Sequence, residues 1–304
     1  MLEQELLKHE TKHLFGNYWL EGEICFLFGD SNTGKSLLAE DIAIMNAGGP
    51  CLFEDIIPEV RQKVVHFEYE LNKRQFAGRY LGCSEILPND YFRAGFDLCE
   101  FDTKQSMLEA TILEIKEMQA QENPPKVFII DNITFLQDTS SSQKLGIEIM
   151  KEFKVLKEQY GLSILFIGHC PKRKKGAPIS QDSLGGSKML MNFCDSAFAI
   201  ADSIWGPDTK YIKHIKSRSV AREQGVRVVE IENEPYLHFK PINSESAEEE
   251  HLDPKRSSRS PLTPEQQAEI ISLRDIDGLK IRDIASALGL SKSAVGRYVK
   301  ALGI

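Results

Sequence analysis

Short apolar runs alternate with longer segments of helical periodicity along the first 240 residues of the chain. Each apolar run is bounded by polar or turn-forming residues, which predicts a buried β-strand. Such an alternation is typical of an α/β domain with a mainly parallel sheet. The four clearest strands are ICFLF (24–28), VVHFEY (64–69), KVFIID (126–131) and LSILFIG (162–168).

Helices are predicted directly after the first strand and over residues 72–81, 104–121 and 144–160. Later apolar runs look like antiparallel additions at one side of the sheet. These runs are SAFAIA (196–201), KYIKHIK (210–216) and VRVVEIE (226–232).

The segment that follows is poor in apolar residues and rich in Ser, Glu and Pro, so it cannot bury enough surface to fold alone. We therefore predict an α/β domain over residues 1–240, a flexible linker over 241–262 and a small all-α domain over 263–304. No internal repeat is visible.

Composition is that of a globular protein, because 41% hydrophobic residues in 304 can build a substantial core. No apolar run approaches membrane length, and the charged N-terminus lacks the apolar middle of a secretory signal. We expect a cytoplasmic location and no membrane partner. The six cysteines are scattered without a C-x-x-C pair, which favours small core residues over zinc or redox chemistry.

Charge is divided unevenly between the two parts of the chain, although the net charge of −8 at first argues against nucleic acid as a partner. From residue 255 onward there are nine Lys/Arg and five Asp/Glu, a net of +4, which leaves −12 for residues 1–254. The basic end is therefore a candidate for binding DNA.

The segment GDSNTGKS (29–36) joins the first strand to the first helix and matches G-x-x-x-x-G-K-[ST] in full. Its glycines let backbone N–H groups curl around a phosphate, the helix start is positive, and Lys35 adds a full charge. Ser36 would hold Mg²⁺ through its hydroxyl. We expect ATP and Mg²⁺ here, at Gly29, Asp30, Ser31, Asn32, Thr33, Gly34, Lys35, Ser36 and Leu37.

Carboxylates are expected beside this loop. Asp131 closes the strand KVFIID, where it would hold the Mg²⁺ shell through water. Glu70 lies just beyond another strand end and could polarise a water against the γ-phosphate. Glu68 is the rival for that role, and a solvated helix N-terminus would favour Glu there anyway.

These motifs, in this order, resemble RecA-like ring ATPases, nearest the DnaB and RepA types of hexameric helicase. The resemblance is most specific where a strand, Glu70 and a helix with Gln75 and Arg79 follow one another, and it covers most of residues 15–240. It implies a RecA-like P-loop NTPase core in which Glu70 is the catalytic base. Because about twenty residues precede the core, we expect no primase-binding domain of the DnaB kind.

Two further matches depend on the same resemblance. Lys216 and Arg218 resemble the K-x-R that reaches the neighbouring subunit's γ-phosphate, an arginine finger in trans. His169 stands where such proteins place a polar sensor; DnaB types usually carry Gln there, so His169 and the turn 185–187 lean toward RepA. A solvated basic strand end and a satisfied core histidine remain the alternatives.

Two loops are candidates for gripping single-stranded DNA in the channel of a homo-oligomeric ring, which the resemblance implies to be hexameric. One carries the basic run KRKK and the other is QDTSSSQ (137–143). A solvated charge run is the competing interpretation of the first. Its residues are Lys172, Arg173, Lys174 and Lys175.

The basic end is predicted to form three short amphipathic helices, and IRDIASALGLSKSAVGRYVK resembles a helix-turn-helix. Ala285 is small where two helices cross, Gly289 permits the turn, and Ile284, Leu288, Leu290, Val295 and Val299 would fill the inside. A docking module for protein is the alternative. The surface expected to contact duplex DNA includes Lys292, Ser293, Arg297 and Lys300, with Arg297 as the favoured base or phosphate contact.

The sequence thus predicts an oligomeric, DNA-binding ATPase, most sharply a RepA-like helicase of replication, mobilisation or transposition. The alternative is an ATP-responsive regulator that binds specific duplex DNA without unwinding it. A structural adaptor with a vestigial site is disfavoured because none of the catalytic residue types is missing.

Overall fold

A computed structural model describes residues 12–95, 106–136, 143–170, 177–184, 187–252, 264–276, 278–290, 295–296 and 298–299. The chain divides into two compact units. The larger comprises Met1–Lys174 with Ile179–His251, and the smaller comprises Lys175–Pro178 with Leu252–Ile304.

A large, mostly parallel sheet organises the first unit. A short antiparallel pair, β1 (His13–Phe15) and β2 (Trp19–Leu20), precedes it. The sheet strands are β3 (Ile24–Gly29), β4 (Val64–Glu68), β5 (Tyr91–Ala94), β6 (Val127–Asp131), β7 (Ser163–His169), β8 (Ser196–Asp202), β9 (Thr209–Lys216), β10 (Val226–Glu232) and β11 (His238–Ser246). Their order is β11-β10-β9-β8-β3-β7-β6-β4-β5.

Six of these strands run parallel, from β8 through β3 to β5, and β9, β10 and β11 extend the sheet antiparallel. The prediction of antiparallel additions is confirmed for β9 and β10 and is wrong for β8, which pairs parallel with β3. The reason is the connection: a helix lies between β7 and β8, so the chain can cross over and re-enter in the parallel direction.

The helices of this unit are α1 (Lys35–Asn46), α2 (Lys73–Arg79), α3 (Met107–Gln119), α4 (Gln143–Tyr160) and α5 (Ser187–Phe193). Asn72 and Ser106 begin α2 and α3 as capping boxes, in which Gln75 and Glu109 return the hydrogen bond. No described helix is long and apolar enough to cross a bilayer.

The core lies on both faces of the parallel strands, which explains their nearly continuous apolar sequences. On one face, Leu38 and Ile42 of α1 pack with Ile129 and Leu165 of the sheet. On the other face, Phe26 stacks on Phe166 with ring centroids 5.3 Å apart. Because side chains alternate along a strand, the face of each site residue follows from this arrangement.

Ordered structure continues past residue 241, where the linker was predicted to begin. Strand β11 runs to Ser246, and a 3-10 turn follows at Glu248–His251. His251 is fully buried, 2.8 Å from Ser203 Oγ, and Glu248 accepts from the Ile179 N–H. These polar groups are buried because their hydrogen-bond partners come from distant segments of the chain. The local amino-acid composition therefore does not reveal that this segment is ordered. Residues 253–263 lie outside the described part of the chain.

The smaller unit contains α6 (Pro264–Ile271), a π-helical turn (Ser272–Ile276), α7 (Ile281–Ala287) and helical residues at 295–296 and 298–299. The predicted inside positions are buried or half-buried around a small apolar cluster. Gly289 ends α7 with φ of 62°, the left-handed conformation expected of it. The cluster comprises Ile270, Ile284, Ala285, Val295 and Val299, with Leu288 and Leu290 packed against it.

Candidate functional site

The phosphate loop lies between β3 and α1, as predicted. Gly29 ends β3 so close to the neighbouring strand that a Cβ would meet the Ile200 carbonyl oxygen at 2.2 Å. Gly34 takes φ of 86°, and a Cβ there would meet the Phe239 ring at 2.6 Å. Both positions therefore require glycine, one for close approach and one for backbone conformation as well.

No side chain caps the start of α1, so its first-turn N–H groups are available to an anion held by the loop. Ser31 and Asn32 are exposed, and Ser36 is half-buried. Leu37 instead packs into the core, which leaves only its backbone for a ligand.

The Lys35 ammonium is held at the loop, donating to the Asp30 carbonyl over 2.7 Å. Thr33 Oγ1 donates to the same oxygen over 2.9 Å. Burial lowers the pKa of Lys35, and the negative charge of Asp131 opposes this effect. The site thus keeps a poorly solvated cation that an anionic ligand would stabilise.

Asp131 closes β6 at the carboxyl edge of the sheet, 1% exposed. Its Oδ2 makes no hydrogen bond to any described residue and lies 3.9 Å from Nε2 of His66, a residue of β4. Parallel strands end at one edge, so β6 brings Asp131 to the side of the sheet where β3 delivers the loop.

Glu68 and Glu70 occupy different environments. Glu68 is buried, and one of its oxygens accepts from the N–H groups of Glu70 and Leu71 at 2.8 and 3.0 Å. Burial raises the pKa of Glu68, and the nearby Asp131 carboxylate raises it further. Glu70 is the exposed one of the pair, beyond the strand end. The geometry therefore favours Glu70 over Glu68 for contact with a water or a nucleotide.

Asn132 is a member of this site that the sequence analysis missed. Its side-chain amide donates to the Glu70 carboxylate and lies 3.1 Å from Nε2 of His169. Its oxygen accepts from the Thr134 N–H over 2.9 Å. The available signal was its position directly after Asp131 at the end of a buried strand. Glu70, Asn132 and His169 thus converge from β4, β6 and β7.

Gln75 and Arg79, which the resemblance singled out on the helix after Glu70, contact groups outside the phosphate loop. Arg79 of α2 forms an ion pair with the buried Glu40 of α1, and Gln75 is the reciprocal member of the α2 capping box. Burial raises the pKa of Glu40, which Arg79 opposes. The Arg79–Glu40 pair thereby holds α2 beside the helix that begins at the phosphate loop.

Lys216 and Arg218 lie far from the phosphate loop of their own chain. Lys216 pairs with Ala197 at the start of β8, whereas Gly29 pairs with Ile200 farther along it. The Lys216 ammonium donates to the carbonyls of Met191 and Cys194, the latter over 2.7 Å.

Arg218 lies beside Lys216 at the same end of α5. It donates to the Asn192 carbonyl over 2.8 Å and contacts Asp195 at 3.3 Å. Its side chain is 50% exposed, so it remains accessible from outside.

Several predicted contacts lie outside the described residues, including the channel loops and the recognition surface of the helix-turn-helix. The residues are Lys172, Arg173, Lys174, Lys175, Gly185, Gly186, Lys292, Ser293, Arg297 and Lys300, with the loop 137–142.

Two protein-family models match the chain. One, described as AAA domain, matches residues 4–175, and the other, described as sigma-70, region 4, matches residues 264–301. A comparison with curated proteins found no match. The two family matches support an ATPase with a DNA-binding helix-turn-helix. Because the first model covers more than half of the sequence, the chain belongs to the AAA domain family.

Proposed function

We propose that the chain is an oligomeric ATPase that couples hydrolysis of Mg-ATP to work on DNA, as a RepA-like, RecA-type helicase or remodelling motor. The observation that carries the proposal is the convergence of Lys35, Asp131, Glu70 and His169 at one edge of one sheet. A phosphate loop alone would serve binding; a carboxylate beyond the strand end adds a group suited to activating water.

Each residue has a defined role in this proposal. Lys35 and the start of α1 bind the phosphates, while Ser36 and Asp131 hold Mg²⁺, the latter through water. When bound, Mg²⁺ neutralises charge on the transferring phosphoryl group. Glu70 orients and deprotonates the attacking water, and Asn132 holds the Glu70 carboxylate in place.

His169 is the proposed sensor of the γ-phosphate. Since the Asn132 amide is a donor, Nε2 of His169 accepts and Nδ1 carries the proton. That Nδ1 is buried and makes no hydrogen bond among the described residues. An N–H without a partner is suited to a phosphate oxygen.

The placement of Lys216 and Arg218 supports assembly, because they lie beside the start of β8 whereas their own phosphate loop lies farther along the sheet. A neighbouring subunit would receive Arg218 as its finger, so activity would require oligomers. The two channel loops and the recognition helix retain their predicted roles in this proposal.

ATP hydrolysis measured against protein concentration, with and without single- and double-stranded DNA, tests the proposal. We expect a steep rise with concentration, stimulation by DNA, and loss of turnover in Glu70→Gln with ATP binding retained. Turnover that is linear in protein concentration and indifferent to DNA would refute the coupled, oligomeric motor.

The alternative, an ATP-responsive regulator, is favoured by the sigma-70 region 4 match, a helix-turn-helix suited to duplex DNA. Strand displacement and footprinting separate the two functions. ATP-dependent unwinding supports the motor, whereas protection of a specific duplex that responds to ATP without unwinding supports the regulator. Removal of residues 255–304 should weaken duplex binding in both cases while basal hydrolysis persists.

A further inference from the structure

Three buried side chains with metal-binding atoms meet where β4 and β6 run side by side. They are His66, Glu68 and Asp131, with one ligand atom of each within 4.8 Å of the others. We propose that these residues bind a divalent transition metal ion, such as Mn²⁺ or Zn²⁺, at a site distinct from the Mg²⁺ that accompanies the nucleotide.

Strand register places the three groups on one face of the sheet. His66 and Glu68 are two residues apart on β4, so their side chains point the same way. Glu68 pairs with Asp131 on the neighbouring parallel strand. The arrangement therefore belongs to the rigid sheet and not to a loop, which favours a preorganised site.

Two of the ligand atoms are buried and lack a hydrogen-bond partner in the part of the chain that the structure describes. They are His66 Nε2 and Asp131 Oδ2, and both residues are 1% exposed. They face each other across 3.9 Å, too far for a hydrogen bond. Buried polar atoms without partners are uncommon, and an ion between these two would satisfy both.

The separation fits an ion. Two ligands of one metal at bond lengths of about 2.1 Å lie roughly 3–4 Å apart. The observed spread, up to 4.8 Å, closes with small side-chain rotations. One His and two carboxylates leave at least one coordination position open for water.

The remaining atoms of the cluster are already fixed by surrounding groups. His66 Nδ1 lies 3.2 Å from the Tyr91 hydroxyl, which orients the ring and directs Nε2 toward Asp131. Glu68 is anchored by the N–H groups of Glu70 and Leu71. Such contacts behind the ligands orient them and tune their affinity for a metal.

The choice of metal follows from the donor set. An imidazole nitrogen favours first-row transition ions, whereas Mg²⁺ prefers oxygen ligands and keeps several waters. Asp131, which is proposed to contact Mg²⁺ through water, keeps its own oxygens available to bind a second ion directly. The transition ion would also neutralise two adjacent buried carboxylates.

Electron paramagnetic resonance of Mn²⁺ tests the site in full-length, chelator-treated protein without nucleotide. We expect one Mn²⁺ per chain to bind, with loss of the free-ion signal, and Mg²⁺ in equal amount to leave it bound. An undiminished free-ion signal would overturn the proposal, whatever the protein does with ATP.

His66→Asn keeps an amide N–H donor near the Tyr91 hydroxyl but removes the ligand atom Nε2. Mn²⁺ affinity should fall by more than the roughly 10- to 100-fold loss that follows removal of an outer-shell partner. The Mn²⁺ affinity of Glu68→Gln should also fall, and this variant replaces the first if His66→Asn does not fold. His214→Asn, at an equally buried histidine of β9, should bind like the wild type. Retained affinity in both cluster variants would show that the ion lies elsewhere.

Ser36→Ala separates this site from that of the nucleotide. It should weaken Mg-ATP binding while Mn²⁺ binding without nucleotide stays unchanged. If Ser36→Ala weakened both Mg-ATP binding and Mn²⁺ binding, the ion would belong to the nucleotide site and the proposal would be overturned.

Discussion

The Asn132 side-chain amide lies 3.1 Å from Nε2 of His169, and the same amide donates to the carboxylate of Glu70. One residue therefore links the proposed base to the proposed sensor. Since the bonds join three strands, movement at His169 on nucleotide binding would be transmitted to Glu70.

Asn132→Ala should retain ATP binding and lower turnover, because it removes the group that positions Glu70. A decrease of about 10- to 100-fold is expected, less than the roughly 100- to 10,000-fold contribution of a general base itself. Thr134→Ala, which removes a hydroxyl bonded to Asn132 but leaves the amide contacts, is the matched control. Steady-state hydrolysis with fluorescent-nucleotide binding distinguishes these effects, and unchanged turnover in Asn132→Ala would contradict the linkage.

Gly34→Ala should disrupt the phosphate loop. The substituent would have to adopt φ near 86° and also meet the Phe239 ring at 2.6 Å. Gly22→Ala is the control, since Gly22 has φ of 74° but open space around the site of a Cβ. The left-handed backbone costs each variant about 1–2 kcal/mol, and only Gly34→Ala should exceed this and lose ATP binding. Equal losses of unfolding free energy in the two variants, measured by urea denaturation, would show that the contact with Phe239 adds nothing.

Arg218→Ala should keep ATP binding and lose turnover, as expected of an arginine finger, by about 1,000-fold or more. Its contacts with Asn192 and Asp195 are largely exposed, so stability should change little. Arg222→Ala, a nearby exposed cation, should behave like the wild type.

Mixing inactive variants tests whether Arg218 acts in trans. Subunits with Arg218→Ala retain Glu70, and subunits with Glu70→Gln retain Arg218. Mixed oligomers should regain part of the hydrolysis at the interfaces that combine both intact residues. Absence of any recovery, with mixed oligomers demonstrated, would exclude the trans assignment.

Acid should destabilise the larger unit partly through His251. Burial lowers its pKa below the ordinary value, opposed by Glu250 and Glu248. Because the folded state resists protonation, this stability is present above pH ~6.5, the unfolded pKa, and is lost as the pH falls below it. His251→Gln should flatten the fall in melting temperature between pH 7 and 5. An identical pH profile for variant and wild type would contradict this.

Sequence was sufficient for features that rest on local spacing. The phosphate loop, the strand that ends at Asp131, the strand that precedes Glu70, and the helices α1 to α4 follow from patterns within a few residues of each other. The inside positions of the small unit follow in the same way, because helical periodicity places Ile284 on the apolar face of one helix and Val295 and Val299, four residues apart, on the apolar face of the next.

Tertiary structure decided what depends on register between distant strands. The bond between Asn132 and Glu70, the meeting of His66 with Asp131, and the parallel entry of β8 all require knowing which strands are neighbours. Strand β11 and the turn 248–251 escaped prediction because their polar residues are satisfied by partners far along the chain. Sequence determines which groups a strand end can offer; long-range pairing determines which of them meet.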